Sequence, residues 1–219
     1  MNSTHRKMDL GRLASIPVFT FLLTLNALAV YRDVKSLDPI NLIKAVGFIH
    51  HLLIVCFYFL LIFLYFLRTS AISTSNSPVT NIIAILTAFM PFTIPLLGSN
   101  SFVDPVNAVI SSVIIILGML LAIYALLALG RNVSIIPQAR KLVRHGPYRL
   151  VRHPLYLGEL ICVFGIVAAE VTISKMMVFL LLMTAQIYRS LWEEKLLIST
   201  FPEYKEYSSK KRRFIPGIF

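Results

Sequence analysis

Side chains able to do chemistry crowd into the last third of this chain. Lys141-Leu-Val-Arg-His-Gly-Pro-Tyr-Arg-Leu-Val-Arg-His-Pro-Leu-Tyr-Leu-Gly-Glu159 gathers Tyr, His, Arg and Glu at the edge of an apolar stretch. Gly146-Pro147 is a turn signal. Pro154 suits the first turn of a helix, where its missing N–H needs no intrahelical partner. His153 then sits at or just before the cap, beside free backbone N–H groups that can bind an anion such as a ligand carboxylate. A second cluster follows in Gln186-Ile-Tyr-Arg-Ser-Leu-Trp-Glu-Glu194. Arg189 and Glu193 are four residues apart, which puts both on one helix face. An ionisable group in or at the lip of a membrane span is costly and points to function. The plainer alternatives are a basic loop beside a membrane and an ion pair within one helix.

The elements that position these residues must be membrane helices. Of 219 residues, 57% are hydrophobic and 14% charged, and mean hydropathy is +0.78. A soluble domain is about 45–50% apolar and about 25% charged, so a soluble enzyme is excluded. The net charge of +11 sits beside apolar runs, which suits anionic lipid headgroups and argues against nucleic acid. Cys56 and Cys162 both fall in apolar stretches and support neither a disulfide framework nor a metal pair.

A span needs about 20 mostly apolar residues. Candidates run over Leu13–Tyr31, Ala45–Leu67, the short Asn81–Leu97, where Pro91 and Pro95 predict a kink, and Val106–Leu129. A basic segment of about 25 residues follows, Gly130–Pro154. The last apolar stretch, Leu155–Trp192, is too long for one crossing. It reads as a helical hairpin turning at Glu170–Lys175, and a polar tail begins at Glu193. With the amino terminus inside, cytoplasmic segments hold sixteen Lys and Arg, among them Arg6, Lys7 and Arg12, against four outside. The bias puts both termini and the basic segment in the cytoplasm. The expected fold is all-α: a polytopic membrane protein of about five to six transmembrane helices with a C-terminal hairpin. Residues 1–100 form the N-terminal helices, and 101–219 carry the chemistry. Glu159 reads as a helix-start charge, Glu170 as solvated, His50 and His51 as interface residues, and Met176 and Met177 as packing.

The runs Gly146-Pro-Tyr148, Arg152-His-Pro-Leu-Tyr156, Arg189…Glu193-Glu194 and Phe201…Glu203-Tyr204…Tyr207…Pro216 are ordered and spaced much as in a known family. Over about residues 100–216 the chain resembles the membrane-embedded isoprenylcysteine carboxyl methyltransferases and the related phospholipid methyltransferases. It departs from them at Arg140-Lys-Leu-Val, where many animal members have His-x-Leu-Val. It departs again at Phe201-Pro-Glu-Tyr, one residue shorter than the usual Phe-Gly-x-Glu-Tyr.

The resemblance implies an S-adenosylmethionine-dependent methyltransferase without a Rossmann fold, releasing S-adenosylhomocysteine. No G-x-G-x-x-G follows a strand, which agrees. Carried over by position, the cofactor site comprises Leu142, Val143, Tyr148, His153, Pro154, Leu155, Tyr156 and Glu193. Arg189 is the catalytic residue on the substrate side. The acceptor it implies is lipophilic, foremost the carboxylate of an isoprenylcysteine-like molecule. A phospholipid amine or a small thiol on the same scaffold is the runner-up. A membrane scaffold or transporter without chemistry, and an NADPH-dependent sterol reductase, are the rivals from other classes.

Overall fold

The computed structural model describes residues 10–94, 97 and 104–215, with side chains from Ser15 onward. Arg6, Lys7, Pro95 and Pro216 of the sequence reading lie outside the described residues. Among the described residues, six main helices follow one another: α1 (Leu10–Ser36), α2 (Leu42–Leu67), α3 (Pro78–Phe89), α4 (Pro105–Leu129), α5 (Pro154–Ala169) and α6 (Ile173–Thr200). A short α7 (Tyr204–Lys210) ends the chain's helical part. The protein is an all-α polytopic membrane protein.

Local chemistry sets the helix starts. Asn41, Ser77, Asp104 and Thr172 each cap a helix by accepting a backbone N–H, and Pro78, Pro105 and Pro154 occupy first-turn positions. Three described helices are long and apolar enough to cross a membrane: α1, α2 and α4. At 1.5 Å per residue, the 12 residues of α3 reach about 18 Å and the 16 of α5 about 24 Å. Both fall short of a hydrocarbon core of about 30 Å. The expected third span is therefore not one continuous helix. It stops at Phe89 and tightens into a 3-10 turn over Met90–Thr93, where Pro91 has no N–H to continue the ladder.

The C-terminal hairpin is present as α5 and α6, joined at Glu170–Thr172. Glu170 is not solvated as the sequence suggested. Its carboxylate pairs with Lys175 Nζ at 2.5 Å, and both side chains are largely buried. At the same end of the bundle, His51 Nδ1 lies 2.7 Å from Asp33 and ties α2 to α1.

The closest helix contact is that of α4 with α5. Ser111, Ile115, Gly118, Ala122 and Ala125 bury one face of α4, and Gly158, Cys162 and Gly165 face it from α5. A Cβ on Gly158 would lie 2.7 Å from the Ala122 nitrogen, and one on Gly118 2.8 Å from the Gly158 carbonyl. Small residues let the two backbones touch, as membrane helices require when apolar lipid gives no reward for burial. On the other side, Phe19 and Leu22 of α1 pack with Phe57, Tyr58, Leu61 and Tyr65 of α2 against Ala122 and Leu126 of α4.

One feature is absent from the all-α expectation. Two-residue strands, β1 (Ser73–Thr74) and β2 (Gln138–Ala139), pair antiparallel. They lace the loop after α2 to the loop after α4, with Thr69 N–H donating to Arg131 O at 3.0 Å and Arg131 Nε to Leu67 O at 2.6 Å. A two-residue ladder leaves no apolar alternation to read in the sequence.

Candidate active site

The basic segment 130–153 folds over the end of the bundle where α2, α4 and α6 finish and α5 begins. Gly146 opens a 3-10 turn (Gly146–Arg149) with φ of +59°, a conformation open to glycine at little cost. The turn brings Tyr148 back into the protein, where it packs with Val143 and Ala125. Its carbonyl accepts the Tyr207 hydroxyl of α7 at 2.6 Å. Burial, reinforced by the Glu193 charge, pushes the Tyr148 phenol far above its usual range.

The tail closes the same region from outside. Arg152 N–H donates to Arg212 O at 2.9 Å, and His153 N–H to Arg213 O at 3.0 Å. Glu194, beyond the apolar part of α6, accepts from Arg152 Nη1 at 2.7 Å, His153 Nε2 at 3.0 Å and Arg213 Nη2 at 2.9 Å. Burial alone would raise the Glu194 carboxyl. Hydrogen bonds from His153 and Arg213, with the nearby charges of His153 and Arg152, outweigh it and hold the group at about 2.

Between these walls lies a cleft with about 840 Å³ of empty space, counting the part open to solvent. Leu142, Val143, Tyr148, His153, Leu155, Tyr156 and Glu193 all line it. Pro154 does not; it is fully buried at the first position of α5. Arg189 is likewise absent from the lining and sits beneath the floor. Its guanidinium lies 4.6 Å from the centre of the Tyr156 ring, 3.4 Å from Glu193 and donates to Ile135 O at 2.5 Å. The Tyr156 hydroxyl donates to Glu193, and the His153 ring stacks on Tyr156 at 5.3 Å.

The spacing rule that put Arg189 and Glu193 on one face is met, and the two charges touch. The imidazole of His153 is turned to protein carboxylates, with Nδ1 4.0 Å from Glu193. What the start of α5 leaves to an anion is its backbone N–H groups, since the His153 side chain makes no capping bond.

Glu159 is not a helix-start charge. It lies in the second turn of α5 and accepts from Gln186 Nε2 of α6 at 2.8 Å. Sequence reasoning also missed the tail clasp and the strap at Ile135, whose N–H donates to the Tyr65 hydroxyl at 2.8 Å. The Glu193-Glu194 pair flagged two carboxylates, but only partners distant in sequence separate the cleft residue from the clasp.

Residues 106–204 match the family model for phospholipid methyltransferase. The family is one of integral-membrane methyltransferases and includes the isoprenylcysteine carboxyl methyltransferases; its members generally use S-adenosylmethionine. The matched segment runs from the first turn of α4 to the start of α7, and so contains every cleft residue named above. The chain is also similar to the cobalt-zinc-cadmium resistance protein CzcN of Cupriavidus metallidurans, with 36% identity over 80 residues. It is 32% identical over 84 residues to the nickel-cobalt-cadmium resistance protein NccN of Alcaligenes xylosoxydans xylosoxydans. These matches cover 35% and 37% of this chain, and 36% and 38% of the relatives' own lengths. The chain thus spans little more than a third of the curated relatives it matches.

Proposed function

We propose that this protein is a membrane methyltransferase that moves a methyl group from S-adenosylmethionine to a lipophilic acceptor, with residues 101–219 as its core. The observation that carries this reading is the convergence of seven side chains on one cleft at the basic end of the bundle. That end faces the cytoplasm in this reading, as the sixteen-to-four charge bias requires.

The cleft's chemistry fits the cofactor. Leu142, Val143 and Leu155 offer an apolar wall to an adenine. Glu193 suits an ammonium or ribose hydroxyls, and the N–H groups at the start of α5 suit a carboxylate. When bound, the cofactor supplies an electrophilic methyl on a cationic sulfur. The protein's own work is then mainly holding two partners in line, which is worth up to about 7–11 kcal/mol. Tyr156 and Glu193 form the floor, and Arg189 fixes both from below, on the acceptor side.

The acceptor enters laterally between helices. An isoprenylcysteine-like carboxylate would be held by Arg189, which must first give up its contacts with Glu193 and Ile135. A lipid amine leaves those contacts in place, and it is the reading we carry forward.

The test is purified protein in lipid vesicles with methyl-labelled S-adenosylmethionine and a panel of prenylcysteine, phospholipid and thiol acceptors. Label should appear in the lipid fraction and fall in Glu193→Gln. No labelled lipid with any acceptor, in protein that binds the cofactor, would overturn the proposal.

A further inference from the structure

One polar pair lies deeper than the cleft and is unused by the account above. Glu159 is one helical turn beyond Tyr156 on α5, and Gln186 is one turn before Arg189 on α6. A turn is about 5.4 Å of rise, so the pair sits directly under the cleft floor, toward the membrane interior. Gln186 is completely buried, at 0% exposure. Its Nε2 donates to Glu159, while its Oε1 has no hydrogen-bond partner. A buried amide oxygen without a donor loses free energy unless something polar arrives. Glu159 is half-buried and is not among the residues that line the cleft.

Spare hydrogen-bonding capacity here is all of one kind. The second oxygen of Glu159 and the Oε1 of Gln186 both accept. The Arg189 charge nearby is already matched by Glu193. An entering carboxylate would meet two acceptors and no spare cation. A nitrogen carrying several N–H bonds would meet partners for them.

We propose that Glu159 and Gln186 form the acceptor subsite and select an amine headgroup, with Glu159 taking the proton that the nitrogen must shed. This rests on the methyltransferase reading above. In the transfer, the nitrogen lone pair forms the new N–C bond, and the C–S bonding pair stays on sulfur, which becomes a neutral thioether. The proton leaves nitrogen for the Glu159 carboxylate. In a poorly solvated pocket the ammonium and carboxylate forms are both penalised, which narrows the gap in proton affinity between them. The other titratable groups around Glu159 are Tyr58 on α2, Tyr156 and Cys162 on α5, Tyr148 in the loop, and Arg189 and Glu193 on α6.

The experiment compares single-chain lipids with one tail and different heads: hexadecylamine, palmitate and hexadecanethiol, alongside phosphatidylethanolamine. Calorimetry on the full chain in detergent measures binding of each, and of S-adenosylmethionine, to the wild type and to Glu159→Gln. Methyl transfer is followed in parallel across pH. The amine should bind the wild type best and lose most of its affinity in Glu159→Gln, while cofactor affinity is unchanged. Transfer to amine should fall by about 100-fold or more in the variant, in the range for loss of a general base. The residual rate should climb with pH as free amine becomes available. If Glu159→Gln does not fold, Gln186→Ala and the wild-type acceptor panel decide. Preference for palmitate, equal binding of all heads, or no amine methylation by cofactor-loaded protein overturns the subsite. Absence of cofactor binding instead overturns the methyltransferase reading itself.

Discussion

Replacing Glu194 with Gln isolates the clasp that seats the tail on the start of α5. The carboxylate serves three side chains: Arg152 at 2.7 Å, His153 at 3.0 Å, and Arg213 through Nε and Nη2 at 3.0 and 2.9 Å. Glutamine keeps one acceptor oxygen and turns an NH2 toward the cations. A charge-assisted hydrogen bond is worth about 1.5–3 kcal/mol, and removing one partner of a buried pair costs about 3–5 kcal/mol. Both arginine side chains remain 14% exposed, so water relieves part of the strain and the lower end, about 3 kcal/mol, is expected. At about 2–4 °C per kcal/mol for a chain of this size, melting should drop by about 6–12 °C.

The pH dependence has a definite sign. Glu194 is held at about 2, below its ordinary 4.5. Its contribution is complete above that ordinary value and is lost as pH falls from there through about 2. The melting gap between wild type and Glu194→Gln should therefore close on acidification. Thermal melts in detergent, with trypsin cleavage at Lys210–Arg213 as a readout of tail release, check both claims. Equal melting at neutral pH, with the tail equally protected, would refute the reasoning.

Other substitutions probe separate parts of the structure. Gly158→Leu forces a side chain against the Ala122 backbone, where even a Cβ comes within 2.7 Å. It should separate α4 from α5 and cost at least the ~1–3 kcal/mol typical of overpacking, read by melting. Tyr207→Phe removes the bond to the Tyr148 carbonyl. It should cost about 1 kcal/mol and weaken cofactor binding by loosening the Gly146–Arg149 turn. Arg189→Lys keeps a charge beside Glu193 but loses the planar fork that also reaches Ile135. Initial rates should fall about 100-fold through misplacement, with cofactor affinity nearly intact by calorimetry.

Helix ends were legible because their signals are local. Asp104-Pro105 and His153-Pro154 announce helix starts without any tertiary contact, whereas Ser77-Pro78 reads as part of a polar loop and in fact caps and opens α3; the charge at Glu170–Lys175 marks the hairpin turn. Periodicity alone likewise placed Arg189 and Glu193 together. Long-range partners were not legible. Nothing near Glu159 announces Gln186, 27 residues away, and nothing near Glu194 announces Arg152, 42 residues away. The β1–β2 ladder and the Tyr65–Ile135 bond join segments some 65–70 residues apart, and their residue types are those of any loop. The break in the third span was legible too: Pro91 has no N–H for the α-helical ladder, so a kink follows from the residue type whatever the hydropathy.

The most direct test of the account is calorimetric titration of S-adenosylmethionine and S-adenosylhomocysteine into the folded protein in detergent, beside His153→Ala and Tyr148→Ala. His153 stacks on Tyr156 within the cleft and Tyr148 forms its wall. The account predicts binding of both compounds to the wild type and weaker binding in both variants. Failure of folded wild type to bind either compound would contradict it.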